Sequence, residues 1–312
     1  MARITGIEDT VAVGSGIPPS DAAPGSRLRP GDVVGRYAVT GLLGSGGMAE
    51  VYRARDSRLG RDVALKMVRP VQGEGFACGS LCSLLMREAR TMAGLSHPGI
   101  LTVHDVGEHE GCVYLAMELI EGTSLREWAG GVPGWRDRFR VLLEAGRALA
   151  AAHAARVVHR DVKPDNVLVS RDGRVVVSDF GLAPSLADLD DQGYACGCSG
   201  GATVRVDLDG AVVGTPHYMS PEQHEGRAAD SRSDQFGFAA TAWEVLHGAL
   251  PFRGDDLEAL RAAVLAQRVE DPPPATEVPG AITEVLRRAM RVSPSARFPS
   301  MVALVERLDS LA

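Results

Sequence analysis

Residues 157–181 of this 312-residue chain read VVHRDVKPDNVLVSRDGRVVVSDFG. Two valine-rich runs, 167–169 and 175–177, flank an Arg-Asp-Gly turn at 171–173. Runs of β-branched residues on either side of such a turn predict a β-hairpin. The hairpin would hold His-Arg-Asp at one end and Ser-Asp-Phe-Gly at the other.

Three oxygen-bearing side chains, Asp161, Asn166 and Asp179, lie at the ends of this predicted hairpin. Carboxylate and amide oxygens suit Mg²⁺, which binds one or two protein carboxylates and takes its remaining ligands from phosphate and water. The pattern therefore predicts a divalent-cation site that handles a phosphorylated ligand.

Lysine and asparagine are rare in this chain. Only Lys66 and Lys163 are lysines among the 33 basic residues, and Asn166 is the only asparagine. Arginine is a planar fork and lysine a compact ammonium on a flexible stem, so the two differ where one phosphate oxygen must be bound. A general bias toward arginine is the alternative explanation. The placement of all three rare residues in one phosphate-handling pattern favours a functional role.

The stretch resembles the catalytic and metal-binding loops of the eukaryotic-type serine/threonine protein kinases of bacteria. This resemblance implies a two-lobed α+β protein kinase fold, with a small β-rich N-lobe that carries one main helix and a larger, mostly helical C-lobe. It implies transfer of the ATP γ-phosphoryl group to serine or threonine hydroxyls of proteins. Asp161 would accept or orient the hydroxyl proton, Lys163 would neutralise γ-phosphate charge, and Asn166 and Asp179 would hold Mg²⁺, or Mn²⁺ in its place.

Residues 1–35 are rich in Gly, Pro, Ser and Ala and are predicted to form a flexible leader. The kinase domain would then span residues 36–312. Within it, the resemblance implies an N-lobe at about 36–118, a C-lobe at about 122–312 and an activation segment at 179–222.

The segment that follows Tyr37 is predicted to form strand, turn and strand, and it resembles the nucleotide-covering loop and lysine strand of the family. Glycines without a Cβ let backbone approach phosphates closely. Lys66 would bind the α- and β-phosphates, oriented by Glu88 on the helix predicted over 83–97; a solvent-facing Glu88 is the alternative. The implied nucleotide-binding residues are Leu43, Gly44, Ser45, Gly46, Gly47, Val51, Ala64, Lys66, Met117, Glu118, Ile120 and Leu168.

The end of the activation segment, GTPHYMSPE at 214–222, resembles the substrate-docking end of a protein kinase. Thr215, with the Asp161-x-Lys163 spacing, resembles the serine/threonine class. Arg160 implies regulation by a phosphorylated loop residue, with Thr203 and then Ser199 the expected autophosphorylation sites. Autophosphorylation between copies would require a transient homodimer.

Two residues nearer the C-terminus resemble structural parts of the same family. Asp234 resembles the buried aspartate that braces the catalytic loop, and Arg297 resembles the arginine that pairs with Glu222. These residues extend the resemblance from about Tyr37 to the end of the chain.

Two other functions share this fold. A pseudokinase scaffold would bind partners without catalysis, but such proteins typically lack the lysine, the catalytic aspartate or a metal-binding residue. A small-molecule phosphotransferase is disfavoured by the intact peptide-docking motif. A protein kinase is therefore the favoured interpretation.

Charge and hydropathy limit the partners. The net charge of −7 argues against a general nucleic-acid binder. No run of 18 apolar residues occurs, and the first ten residues lack an apolar signal core, so a cytoplasmic protein without a membrane anchor is expected.

The odd number of cysteines, five, also favours a reducing compartment. Cys78, Cys82, Cys196 and Cys198 could together form a zinc site or a redox pair. The favoured alternative is that they are four independent small apolar residues.

Overall fold

The computed structural model describes residues 27–46, 49–68, 86, 91–132, 134–180 and 216–312. The chain divides into two compact units. The first comprises Met1–Ala93 with Thr102–Ile120, and the second comprises Gly94–Leu101 with Glu121–Ala312.

The described part of the first unit is built on an antiparallel sheet whose strands lie in the order Val33–Val34, Tyr37–Ser45, Ala49–Asp56, Arg61–Val68, Cys112–Glu118 and Val103–His109. The strand, turn and strand predicted after Tyr37 are present as the hairpin at 37–56. The strands are β1 (Val33–Val34), β2 (Tyr37–Ser45), β3 (Ala49–Asp56), β4 (Arg61–Val68), β5 (Val103–His109) and β6 (Cys112–Glu118).

The two faces of this sheet carry different residues because successive side chains of a strand point to opposite faces. Val63, Leu65 and Met67 of β4 contribute to an apolar cluster with residues of the neighbouring strands. Ala64 and Lys66 alternate with them and lie on the other face. The cluster comprises Val34, Tyr37, Val39, Tyr52, Ala54, Val63, Leu65, Met67, Tyr114 and Ala116.

The structure differs from the predicted leader at residues 27–35. Val33–Val34 form strand β1, which pairs with β2, and Val34 is fully buried in the apolar cluster. The Gly- and Pro-rich composition around Val33 concealed this short strand, because two residues are too few to show a period. The packed part of the chain therefore begins before residue 35.

The second unit contains a small antiparallel sheet, β7 (Gly122–Ser124), β8 (Val167–Ser170) and β9 (Val175–Val177), in that order. The β8–β9 hairpin is the one predicted from the valine runs. Strand β7 was not predicted, since Gly-Thr-Ser carries no apolar signal. Added Cβ atoms at Gly122 would lie 2.2 Å from the Val169 carbonyl oxygen, so the close approach of β7 to β8 requires glycine.

The rest of the described second unit is mostly helical. Helix α4 (Ser231–His247) lies at its centre, with most of its side chains buried. The Asp230 side chain caps the first turn of α4, and Gly248 ends it with φ of 71°. The helices are α1 (Leu125–Gly131), α2 (Trp135–Ala154), α3 (Pro221–His224), α4 (Ser231–His247), α5 (Leu257–Leu265), α6 (Gly280–Ala289) and α7 (Met301–Asp309).

The predicted α+β fold class is confirmed, with one β-rich unit and one mostly helical unit. The longest described helix, α2, spans Trp135–Ala154. The helix expected to carry Glu88 lies largely outside the described residues. Within the ranges that the structure describes, no helix is both long and apolar enough to cross a membrane.

Candidate active site

The loop that precedes β8 is held by a carboxylate from α4. Asp234 accepts hydrogen bonds from the backbone N–H groups of His159 and Arg160, each at 2.7 Å. Arg160 has φ of 68°. This conformation costs a non-glycine residue about 1–3 kcal/mol and persists only where surrounding contacts hold it. Gln223 donates to the Arg160 carbonyl oxygen at 2.7 Å. The predicted bracing role of Asp234 is confirmed.

His159 links this loop to the Ser-Asp-Phe-Gly motif. Its Nδ1 accepts a hydrogen bond from the Asp161 backbone N–H at 3.2 Å. The proton of the neutral ring therefore lies on Nε2, which donates to the Ser178 carbonyl oxygen at 2.8 Å. The ring also packs on Phe180, with centroids 4.6 Å apart. One buried imidazole thus fixes the spacing between the two motifs.

The Asp161 carboxylate has two different oxygens. Oδ2 accepts hydrogen bonds from Lys163 Nζ at 2.8 Å and from Asn166 Nδ2 at 3.0 Å. Within the described part of the chain, no group donates a hydrogen bond to Oδ1. The Asp161 side chain is 44% exposed, whereas that of Lys163 is 18% exposed. One oxygen is therefore oriented by the protein, and the other can accept a proton from a bound hydroxyl group.

Asn166, one of the two residues expected to hold a divalent cation, lies beside Asp161. The Asn166 amide nitrogen donates to the Asp161 carbonyl oxygen at 2.7 Å as well as to Oδ2, which leaves the amide oxygen as the ligand atom. The Ser178 N–H donates to the Asn166 carbonyl oxygen at 2.8 Å. Asp179 is the next residue in the chain after Ser178. Asp179 has φ of 55°.

This donor set fits a cation that shares its coordination with phosphate. No group of three or more His, Cys, Asp or Glu side chains is arranged for a metal among the described residues. Mg²⁺ requires only one or two protein carboxylates when phosphate oxygens complete its shell. One amide oxygen and one carboxylate are compatible with that chemistry.

The face of the first sheet opposite its apolar cluster carries four of the implied nucleotide-binding residues. Val51 of β3 lies opposite Lys66 of β4, and Ala64 lies opposite Met117 of β6. Directly opposed residues of antiparallel strands share a face. Because Ala64 and Lys66 are two positions apart, all four residues lie on the same face.

The glycine-rich turn leaves space on its surface. The Gly46 N–H donates to the Ala49 carbonyl oxygen at 2.8 Å and closes the β2–β3 hairpin. A Cβ added at Gly44 would meet no atom within 4 Å, and one at Gly46 would only reach that carbonyl oxygen at 3.7 Å. Packing within the described residues therefore does not require either glycine. The open space suits a ligand that approaches the backbone.

The remaining predicted residues fall into three groups. Leu43, Ser45, Glu118 and Ile120 are half-buried residues of the first unit, and the Glu118 N–H donates to the Thr102 carbonyl oxygen at 2.9 Å. Leu168 is a half-buried residue of β8 in the second unit. The residues that lie outside the described part of the chain are Gly47, Cys78, Cys82, Glu88, Cys196, Cys198, Ser199, Thr203 and Thr215.

The docking motif ends in a buried ion pair. Arg297 donates from Nη1 and Nη2 to the two oxygens of Glu222, both at 2.7 Å. Burial opposes ionisation of Glu222, but hydrogen bonds from Arg297 and Ser233 outweigh it and hold its pKa below the usual value. Breaking such a pair by removing one partner leaves a buried charge uncompensated. The predicted pairing of Arg297 with Glu222 is confirmed.

Sequence reasoning missed a cluster beside the docking motif. Arg126 of α1 bonds Asp165 of the catalytic loop, Glu244 of α4 and Tyr218 of the docking motif. Arg126 is one arginine among many, and no spacing marks it. Asp165 could have been singled out, because it lies between Lys163 and Asn166. The roles of Gln223 and of the His159 ring were also missed.

Comparisons with known proteins show the family of this chain. The family model for the protein kinase domain matches residues 37–307. The chain is 36% identical over 274 residues to serine/threonine-protein kinase PknB of Mycolicibacterium smegmatis, covering 84% of the chain and 41% of that relative. It is 36% identical over 275 residues to PknA of Mycobacterium tuberculosis, covering 85% of the chain and 59% of that relative. The chain thus spans about half the length of these curated relatives.

A solved structure shares the fold. The crystal structure of the Mycobacterium tuberculosis PknI kinase domain is similar with a TM-score of 0.66 at 26% sequence identity. The alignment covers 92% of this chain and all of that one.

Proposed function

The chain belongs to the protein kinase domain family, and from that premise we propose that it transfers the γ-phosphoryl group of ATP to serine or threonine hydroxyls of proteins. The observation that carries the proposal is the Asp161 carboxylate, with Oδ2 held by Lys163 and Asn166 and Oδ1 available to a bound hydroxyl. We assign the kinase domain to residues 36–312, extended at its start by strand β1.

Asp161 orients the acceptor hydroxyl and accepts its proton as phosphoryl transfer proceeds. Lys163 places an ammonium group 2.8 Å from Asp161 Oδ2, where it can also neutralise charge on the transferred phosphoryl group. Protein kinases carry out little covalent chemistry of their own, so positioning and charge neutralisation supply most of the barrier reduction. The backbone anchors on His159 and Arg160 serve this positioning.

Asn166 and Asp179 are the residues that would hold the divalent cation, which we propose to be Mg²⁺. When bound, the cation neutralises negative charge on the ATP phosphates. The protein supplies one amide oxygen and one carboxylate, and the Asn166 side chain is oriented for this by its two hydrogen bonds to Asp161.

We assign part of the ATP-binding surface to the first unit. Lys66 supplies a cation for the α- and β-phosphates, and the open surface at Gly44 and Gly46 accommodates phosphate against backbone. Val51, Ala64 and Met117 supply apolar surface on the face that carries Lys66. The family resemblance assigns the orientation of Lys66 to Glu88 and counts Thr215 among the catalytic residues, as in the serine/threonine class.

The partners follow from this chemistry. Protein substrates with serine or threonine are proposed, together with autophosphorylation in the activation segment through a transient homodimer. We place the reaction in the cytoplasm, where ATP is supplied. A pseudokinase scaffold is disfavoured because Lys66, Asp161, Asn166 and Asp179 are all present.

The decisive experiment incubates purified protein with labelled ATP and Mg²⁺ and maps phosphosites by mass spectrometry. Asp161→Asn should lower the rate by about 10²–10⁴-fold, because general acid–base groups typically contribute that much. Asp172→Asn is the matched control, since Asp172 is exposed in the β8–β9 turn. Equal activity in wild type and Asp161→Asn would refute the proposal.

A further inference from the structure

Arg126 joins three segments of the second unit. Its Nε and Nη2 donate to the two oxygens of Asp165, each at 2.9 Å. Its Nη1 donates to Glu244 Oε1 at 2.6 Å, and Nη2 also donates to the Tyr218 hydroxyl at 2.8 Å. One guanidinium therefore contacts the catalytic loop, helix α4 and the docking motif together.

Tyr218 completes the connection. Its hydroxyl accepts from Arg126 and donates to Glu244 Oε2 at 2.5 Å. The Tyr218 residue is only 5% exposed. Burial and the neighbouring Glu244 carboxylate raise its pKa, so the hydroxyl keeps the proton that it donates. The short turn Pro216–Tyr218 is thus fixed through a side chain whose donor and acceptor capacities are both used.

The position of Asp165 makes this contact relevant to catalysis. Asp165 lies in the turn Pro164–Asn166, between Lys163 and the cation-binding Asn166. This turn begins at Pro164, three positions after Asp161. A displacement of Asp165 would therefore be transmitted to the residues on both sides of it.

We propose that Arg126 is a positioning residue for the protein substrate, which sets the docking motif at Tyr218 against the catalytic loop at Asp165. The inference rests on the proposed kinase function and adds a residue to it. Arg126 does not touch the reacting atoms. It acts through Tyr218 and Asp165, so its removal should affect the acceptor substrate more than ATP.

Geometry explains why an arginine stands here. A guanidinium presents several N–H donors in a fixed plane and can bond a carboxylate in a bidentate manner while it reaches a second acceptor. A lysine ammonium is a point charge and cannot reproduce the bidentate contact with Asp165 together with the contacts to Glu244 and Tyr218. Without the Arg126 guanidinium, the carboxylates of Asp165 and Glu244 lose the positive charge that both of them contact.

The arrangement is also suited to a clean test, because it is not deeply buried. The side chains of Arg126, Asp165 and Glu244 are 26%, 42% and 20% exposed. Partly exposed ion pairs contribute little to folding stability. Variants of Arg126 are therefore expected to fold.

The experiment measures steady-state kinetics with a synthetic peptide that spans the main autophosphorylation site mapped in the wild type. Arg126→Ala should lower kcat/KM for the peptide at least tenfold while KM for ATP changes less than twofold. Arg126→Lys should recover only part of the loss. Arg147→Ala is the matched control, because it removes the partly exposed Arg147–Asp309 pair between α2 and α7 and should leave both KM values unchanged.

Tyr218→Phe keeps the ring and removes the hydroxyl, so it tests the same connection without removing a charge. It should raise KM for the peptide, and the double variant with Arg126→Ala should be no worse than Arg126→Ala alone, because the two residues act through one contact. Unchanged peptide kinetics in both single variants, or an equal change in KM for ATP, would overturn the inference while the kinase function stands. A wild type that phosphorylates nothing would instead overturn the proposed function and this inference with it.

Discussion

The catalytic loop of the second unit and the glycine-rich hairpin of the first are stabilised in different ways. The loop has no repeating backbone pattern, and side chains from distant positions satisfy its backbone groups, above all Asp234 and Gln223. The β2–β3 hairpin satisfies its backbone groups mainly through its own ladder, with one added side-chain bond from the Thr40 hydroxyl to the Arg53 carbonyl oxygen.

The difference corresponds to what each region is proposed to do. A loop held by side chains keeps Asp161 and Asn166 at fixed distances, which proton acceptance and cation binding require. Because backbone hydrogen bonds hold the hairpin, glycine can occupy the positions near its turn. A ligand can then approach the surface at Gly44. Substitutions should therefore damage the two regions in different ways.

The largest effect on stability is expected from the Glu222–Arg297 pair, a side-chain anchor of the second unit. Glu222→Gln leaves the buried Arg297 guanidinium without a counter-charge, which should lower the free energy of unfolding at pH 7 by about 3–5 kcal/mol. Denaturant titration would measure the change. Glu306→Gln is the matched control, since Glu306 is exposed on α7 and its loss should have little effect.

The same pair predicts a pH dependence with a definite sign. The pKa of Glu222 is lower in the folded protein than its usual value of 4.5, so the stabilisation is present above pH 4.5 and is lost as the pH falls through the folded pKa. The difference in unfolding free energy between wild type and Glu222→Gln should shrink below pH 4.5. A difference that grew toward lower pH would contradict the assignment.

An intermediate effect is expected from Asp234, which distinguishes loop anchoring from ordinary helix packing. Asp234→Asn replaces one acceptor oxygen by an amide nitrogen that cannot accept the N–H of His159 or Arg160. We expect a loss of about 1–3 kcal/mol in the free energy of unfolding. Phosphotransfer should slow roughly 10- to 100-fold, because displaced catalytic groups lose their alignment.

Asp230→Asn is the control for this variant, because asparagine also caps helix N-termini well. It should retain both stability and activity. If Asp234→Asn matched it in rate, the bonds to His159 and Arg160 would not be needed for catalysis.

The smallest effect on stability is expected in the hairpin. Gly44→Ala adds a Cβ that meets no atom within 4 Å, so the free energy of unfolding should change by less than about 0.5 kcal/mol. KM for ATP should nevertheless rise, because the methyl group occupies space proposed for phosphate. An unchanged KM for ATP in Gly44→Ala would argue against nucleotide at this hairpin.

Gly122→Ala should lower stability instead. Its Cβ would lie 2.2 Å from the Val169 carbonyl oxygen, so the free energy of unfolding should fall by about 1–3 kcal/mol.

Patterns of neighbouring residues predicted much of the fold. The valine runs predicted β8 and β9, and the segment after Tyr37 was correctly predicted to form strand, turn and strand. Strands β1 and β7 were missed because segments of two and three residues carry no measurable period. Their pairing partners stabilise them, and those partners are not adjacent in sequence.

The candidate site was only partly predictable for a similar reason. Asp161, Lys163 and Asn166 were identified because they lie within six residues of one another in a motif. Arg126 and Glu244 are separated by 118 positions, and no local pattern indicates that they would meet.

The sequence by itself determined the residue types of the catalytic and metal-binding motifs, the hairpin between them and the class of chemistry they suit. These depend on local spacing and on the intrinsic properties of side chains. Tertiary structure alone decided that Arg126 bonds both Asp165 and Tyr218, and that the His159 ring carries its proton on Nε2. The physical reason is that such bonds form only after the chain has brought together helices and loops that are distant in sequence, so their geometry depends on the packing of the whole second unit.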